Sequence, residues 1–209
     1  MYRYIAIEGN IGAGKTTLAT LLTERLGARL LQEQFADNPF LAKFYADRER
    51  YAFPLELSFL ADRYQQQKAF MDMPDPFAQP VITDYLIVKS KLFASITLND
   101  VEFDLFSRVF NVMDPQLPQP DVVIYLHASV DTLQAHIRKR GRSYELGIEN
   151  AYLENVSKVY ERYLETLTIP VVVIDTSVVD FEMDEYHVNT LLGLLSGGLK
   201  AGKNYLVAQ

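Results

Sequence analysis

The sequence predicts an α/β fold, a five-stranded parallel sheet flanked by helices, and three observations carry that expectation. Short runs rich in Val, Ile and Leu alternate with longer helical patterns. The runs are apolar throughout rather than at every second residue, as expected of strands buried on both faces. The first run leads directly into Gly9-Asn10-Ile11-Gly12-Ala13-Gly14-Lys15-Thr16, the G-x-x-x-x-G-K-[ST] spacing of a phosphate-binding loop set between a strand and a helix.

In chain order, the first strand is expected at 4–8. The helix at 15–26 puts Leu18, Leu21, Leu22 and Leu26 on one face and stops at Gly27. A second strand covers 28–32, and "DNPFLAKFY" then offers Asn38 as an N-cap and Pro39 as the first helical residue. A long helical pattern spans 55–70, the third strand 80–83, and further helices 86–96 and 104–113. The fourth strand, 122–126, feeds a helix at 130–139, and 151–166 is again helical. The fifth strand, 171–174, stops at Asp175 before a last helix at 185–195. The tail "GGLKAGKNYLVAQ" is either free or docked near a bound adenine. With 209 residues, no repeats and no linker-like shift in composition, one domain spanning 1–209 is expected.

Hydrophobic residues make up 49% of the chain, yet no stretch approaches the run of about 20 apolar residues that a membrane span needs. The passage from Met1-Tyr2-Arg3 into a strand leaves no room for a secretory leader, and there is no cysteine, so a cytoplasmic location is expected. Acidic residues outnumber basic ones 27 to 20, for a net charge of −7, which argues against a nucleic-acid partner. His127, His136 and His187 lack metal-ligand spacing. One basic cluster, "RKRGR" at 138–142, stands out and is expected to begin a mobile lid at about 138–148 that closes over a triphosphate.

The loop itself implies ATP and Mg²⁺. Gly9, Asn10, Ile11, Gly12, Ala13, Gly14, Lys15, Thr16 and Thr17 form the candidate nucleotide-binding set, with backbone N–H groups around the phosphates and the helix dipole behind them. Lys15 is expected on the β- and γ-phosphates and Thr16 on the metal. No N-K-x-D tetrapeptide is present, which argues against a GTPase, and the length is short for a large ATPase machine. A small fold with this loop and a basic lid points to a phosphotransferase.

Four landmarks in order make the chain resemble the deoxyribonucleoside kinase family over nearly its whole length: "EGNIGAGKTTL", "LLQEQFADNPFL", "FYADRERYAFPLELSFLADRYQQ" and "RKRGRSYELGIENAYLENV". The resemblance implies that Glu33 takes the proton of the substrate 5′-hydroxyl. It puts Tyr45 on the sugar 3′-hydroxyl, Glu56 on the base, and Arg63 beside both the base and the catalytic carboxylate. In the lid it puts Arg140 and Arg142 on the phosphates and Glu145 near the 3′-hydroxyl. It also implies a homodimer packed through helices. The chain departs from the family at "PVITDYLIVKSKLFA", where Tyr85 follows Asp84 in place of an expected arginine. An aspartate-tyrosine pair there is similar to a bacterial branch, the deoxyguanosine kinases. Lys89 or Lys91 could restore the charge, without the bidentate geometry of a guanidinium.

Asp84 ends a strand and can hold Mg²⁺ directly or through water; Asp175 competes for that role and ranks below it, being nearer a segment expected around adenine. Glu56 has two roles open. As an ionised acceptor it suits guanine, whose N1–H and N2 amino group both donate, which puts deoxyguanosine first and deoxyadenosine second. Alternatively it pairs with Arg63 two turns along one helix. Of Phe35, Phe40, Phe44, Tyr45, Tyr51 and Phe53, one or two are expected in the pocket and the rest in core. Arg138 and Lys139 are expected at a solvated helix end, and Tyr152 lies near the lid with no derived role. Two rival readings share the fold: a nucleoside monophosphate kinase drawing on Arg48, Arg50, Arg63 and Arg108, and a noncatalytic structural subunit.

Overall fold

A computed structural model describes residues 2–34, 38–179 and 184–206. Its centre is a parallel sheet of strands β1 (Tyr4–Gly9), β2 (Arg29–Leu31), β3 (Val81–Thr83), β4 (Val122–His127), β5 (Pro170–Asp175) and β6 (Gly202–Leu206), in the order β2-β3-β1-β4-β5-β6. The sheet therefore has six strands rather than the expected five. The sixth comes from the tail, where Gly202 through Leu206 pairs with Pro170 through Ile174. "GKNYL" has no apolar run because, as an edge strand, it buries only Leu206 fully.

Period-two alternation divides the core between the two faces of the sheet. Ile5 and Ile7 of β1 join Ile124, Leu126, Val172 and Ile174 under α1 (Lys15–Leu26), α6 (Val130–Arg140) and α8 (Glu185–Leu195). Tyr4 and Ala6 face the other way, with Val123, Tyr125 and Val171, under α7 (Asn150–Thr166). A helical layer of α2 (Leu41–Ala46), α3 (Arg48–Met71), α4 (Val88–Thr97) and α5 (Asp100–Met113) carries two further apolar clusters. Among the described residues no helix is long and apolar enough to cross a membrane.

Helix starts differ most from expectation. α3 begins at Arg48, seven residues before the expected start: Asp47 caps it by accepting the Arg50 N–H at 3.2 Å, and Pro54 sits inside the helix. A proline this near the N-terminus removes one backbone bond without ending the helix. Asn38 caps a turn at 39–40, accepting the Phe40 N–H at 3.0 Å, and α2 starts at Leu41. α5 starts at Asp100 through a capping box between Asn99 and Glu102.

The strand order gathers the chemistry at one place. The carboxyl ends of β1, β2, β3 and β4 lie side by side, and the segments that leave them carry the loop at 9–16, Glu33 and Asp84 to one edge of the sheet.

Candidate active site

The loop after β1 wraps on left-handed glycines, with φ of +82° at Gly12 and +91° at Gly14. A Cβ at Gly12 would meet the Leu133 carbonyl oxygen at 3.0 Å, so α6 packs too close for any other residue. Asn10 ties the loop to α7 by donating to the Leu153 carbonyl at 2.8 Å and to Ser157 Oγ at 2.9 Å. His136 Nδ1 donates to the Gly12 carbonyl at 2.8 Å. Lys15 Nζ donates to the Gly9 and Asn10 carbonyls, each at 2.9 Å. Burial, then the neighbouring Lys89 ammonium, pulls Lys15 down to about 8.

Beside the loop, Thr16 Oγ1 donates to Asp84 Oδ2 at 2.8 Å, and the other oxygen of Asp84 accepts the Glu33 N–H at 2.7 Å. One carboxylate thus ties the start of α1 to the residue two beyond β2. Asp175 is elsewhere: its carboxylate accepts from the backbone and hydroxyl of Ser177.

Glu33 is gripped from two sides. Arg63 of α3 donates through Nε at 2.8 Å and Nη2 at 2.6 Å to Oε1, while Lys89 of α4 pairs with Oε2. Burial opposes ionisation here, but Lys89 and then Arg63 outweigh it and hold the Glu33 carboxyl far below the usual carboxylate range. Arg63 also donates to Ser90 Oγ at 2.7 Å. Of the two lysines near the expected arginine, Lys89 reaches the site and Lys91 turns to Asn111 and the Phe110 ring. Tyr85 itself is fully buried against α3, its hydroxyl 3.4 Å from Gln66 Oε1.

Lys15, Thr16, Glu33, Arg63, Asp84 and Lys89 line one cavity of about 880 Å³ that runs from the loop to α2, α3 and the lid segment, within the usual range for small-molecule sites of roughly 300–1,000 Å³. Glu56 lies at its far end, buried, accepting the Thr97 hydroxyl at 2.9 Å. The direct Glu56–Arg63 pair left open by the sequence does not form, because Arg63 is spent on Glu33 and Ser90. Burial raises Glu56 to about 7, against lowering by Thr97 and Arg63.

Tyr45 stacks on Tyr144, with centroids 6.0 Å apart, and both line the cavity. Of the aromatic residues singled out in the sequence, Phe44 and Tyr45 reach the cavity. Phe40, Tyr51 and Phe53 pack in helical clusters, and Phe35 lies outside the described residues. On the lid side, Arg140 and Arg142 both pair with the buried Glu145, the latter at 3.3 Å. Lys139 lines the cavity as well, although it sits at the exposed end of α6 as expected of it and Arg138. Arg108 is far off on α5, paired with Asp104 at 3.3 Å.

Several cavity residues escaped sequence reasoning. Phe59 sits between Glu56 and Arg63 on one stripe of α3, at steps of three and four, with the Arg63 guanidinium 4.8 Å from its ring centre; helical spacing alone could have found it. Phe93 of α4 and Tyr144 had no such signal. Glu8, which lies outside the cavity lining, did have a signal: a carboxylate in an otherwise apolar strand. It is fully buried and accepts the Leu86 N–H at 2.6 Å and the Tyr160 hydroxyl at 2.7 Å. Burial raises its proton affinity.

Residues 5–195 match the deoxynucleoside kinase family. Among characterised proteins, a deoxyguanosine kinase of Bacillus subtilis is 42% identical over 164 residues, covering 78% of this chain and 79% of that one. A deoxyadenosine/deoxycytidine kinase of the same organism is 35% identical, covering 77% and 76%. Among solved structures, the deoxyadenosine kinase of M. mycoides with dCMP and a flexible dCDP bound superposes with a TM-score of 0.78, at 27% identity, over 92% of this chain and 98% of that one. The same enzyme with dATP bound gives 0.77 at 26% identity, over 93% and 100%.

Proposed function

The chain belongs to the deoxynucleoside kinase family and is a phosphotransferase enzyme, and from that premise we propose that it moves the γ-phosphoryl group of ATP to the 5′-hydroxyl of a purine deoxynucleoside in nucleotide salvage. Deoxyguanosine is the first substrate and deoxyadenosine the second. One observation carries this reading: a largely enclosed carboxylate, Glu33, shares a cavity with the phosphate loop and with Tyr45, Glu56 and Glu145. Donor phosphates and a neutral acceptor both have a place there, and the proton acceptor lies between them.

In this reading the backbone of the loop and Lys15 bind the β- and γ-phosphates, and Arg140 and Arg142 leave Glu145 to close on them from the lid at about 138–148. The 5′-hydroxyl lies against Glu33, which takes its proton. Tyr45 and Glu145 hold the sugar 3′-hydroxyl. Glu56 accepts from guanine N1–H and N2–H, a pattern that adenine cannot offer. Thr16 and Asp84 form an all-oxygen pair 2.8 Å apart beside the loop, the donor set that Mg²⁺ takes, so these residues fit that ion and would hold it. When bound, Mg²⁺ supplies charge neutralisation at the donor phosphates. Residues 1–209 act as one kinase domain, working in the cytoplasm as a homodimer.

The rival monophosphate kinase needs cations for the acceptor's own phosphate. Of its four candidate arginines, Arg63 alone lines the cavity, and it is committed to Glu33. Phosphoryl transfer from ATP and Mg²⁺ to the four deoxynucleosides, their ribo forms, dGMP and dTMP is the direct test. Turnover led by deoxyguanosine is expected. Turnover on monophosphates alone would overturn the acceptor assignment. Glu33→Gln is expected to abolish transfer and keep ATP binding, and normal turnover in that variant would remove Glu33 from its role.

A further inference from the structure

We propose that Lys89 is a shuttling cation that holds Glu33 while the site is empty and passes to the transferring phosphoryl group during turnover, freeing Glu33 to accept the proton. The inference rests on Glu33 being that acceptor.

The geometry makes Lys89 the mobile member of the pair gripping Glu33. Arg63 is locked, since Nε and Nη2 both bond Glu33 and Nη1 bonds Ser90. Lys89 holds Glu33 by a single ammonium contact at the end of a flexible four-carbon stem. The base of that stem is fixed. Glu8 accepts the Leu86 N–H at 2.6 Å, which pins the turn between β3 and α4, and Lys89 lies in the first turn of α4. A fixed backbone that carries a cation on a flexible stem, bonded to one carboxylate oxygen and set over the Phe93 ring, meets the requirement for a shuttle.

The charge also has a destination. Lys89 lines the same cavity as Lys15 and the phosphate loop and is 7% exposed. Two ammonium groups facing one buried space repel each other until an anion enters between them. A triphosphate gripped by the loop through Lys15 is such an anion. Among the described residues no other group supplies this charge from the start of α4: Tyr85 is buried against α3, and Lys91 faces α5.

The exchange resolves a chemical conflict. Glu33 clasped by two cations is a poor proton acceptor, since both stabilise its ionised form. When Lys89 leaves, one of these stabilising charges goes with it. The 5′-hydroxyl oxygen bonds to the γ-phosphorus, and the bond from that phosphorus to the bridging oxygen breaks, its electron pair going to ADP. The hydroxyl proton passes to the Glu33 carboxylate and then to water.

The test compares Lys89→Met, Lys89→Arg and Glu33→Gln in the full chain with deoxyguanosine and ATP. Lys89→Met is expected to lower kcat by about 100-fold with the nucleoside KM nearly unchanged. Lys89→Arg keeps a cation at that place, so its kcat should lie well above that of Lys89→Met. Lys89→Gln replaces Lys89→Met, with the same expectations, should the latter fail to fold. A near-parental kcat in Lys89→Met, or a Lys89→Arg no faster than Lys89→Met, overturns the shuttle. If Glu33→Gln is inactive while Lys89→Met is active, the shuttle alone falls; if both are active, the Glu33 assignment falls first.

Discussion

Glu56 is a carboxylate in a fully buried position with one hydroxyl donor, and this gives it a pH signature of its own. Its proton affinity is raised from about 4.5 in the unfolded chain to about 7, so between those values the folded state binds the proton that the unfolded state releases. Stability contributed at this residue is therefore greatest below the unfolded value and is lost as pH rises through 7. Glu56→Gln is expected to stabilise the empty protein at pH 8 by on the order of 2–3 kcal/mol, with the gap closing toward pH 4.5 in denaturant titrations. In the proposed function the same group sets base choice. Ionised Glu56 offers two acceptors, whereas protonated Glu56 offers a donor and an acceptor, which suits the mixed edge of adenine. The ratio of deoxyguanosine to deoxyadenosine kcat/KM is expected to rise with pH across 7, and to be flat in Glu56→Gln. The sequence marked Glu56 and Arg63 by their spacing on one helix. The family resemblance set Arg63 beside Glu33, 30 residues away, as the structure has it, but no signal in the sequence brought Thr97 beside Glu56 from 41 residues away.

At the scale of elements, β6 shows how a strand can be hidden in a polar tail. Its residues alternate between half-buried and exposed, and Asn204 bonds locally to the Lys200 and Gly202 carbonyls at 2.7 and 2.9 Å. What recruits it is the open edge of β5, whose buried Val171 and Val172 would otherwise border solvent. Leu206 is 5% exposed and joins the main core. Leu206→Ala is expected to cost about 2–4 kcal/mol, read as a lower denaturation midpoint with an unchanged slope. A loss below the low end of that range would mean that β6 is dispensable to the sheet. Helix α5 is the opposite case. Its capping box at Asn99 and Glu102 is written locally in "NDVE", although the expected start at 104 passed over it, while α3 ran through Pro54 because the cap at Asp47 lay upstream of a residue that ordinarily forbids a helix.

For the whole molecule, the proposed homodimer has a candidate face. Val101, Leu105 and Val112 lie on one stripe of α5, at steps of four and seven, and are 81%, 44% and 67% exposed. Three exposed apolar side chains on one helix face are more than a surface helix needs. Light scattering is expected to give twice the 23.9 kDa chain mass, and Leu105→Asp is expected to shift it toward the monomer. A parent that already runs as a monomer would remove the dimer from the functional reading. By itself the sequence determined the phosphate loop, five strands of the sheet and the order of the helices. Each of these is written in contiguous residues, through backbone conformation, periodicity and capping. The tertiary structure alone decided that Lys89 rather than Lys91 meets Glu33 across 56 residues of chain, that Tyr85 is core, and that a tail becomes a sixth strand. Those outcomes depend on which buried charge finds a partner and which sheet edge is left open, and both are settled only when distant segments pack.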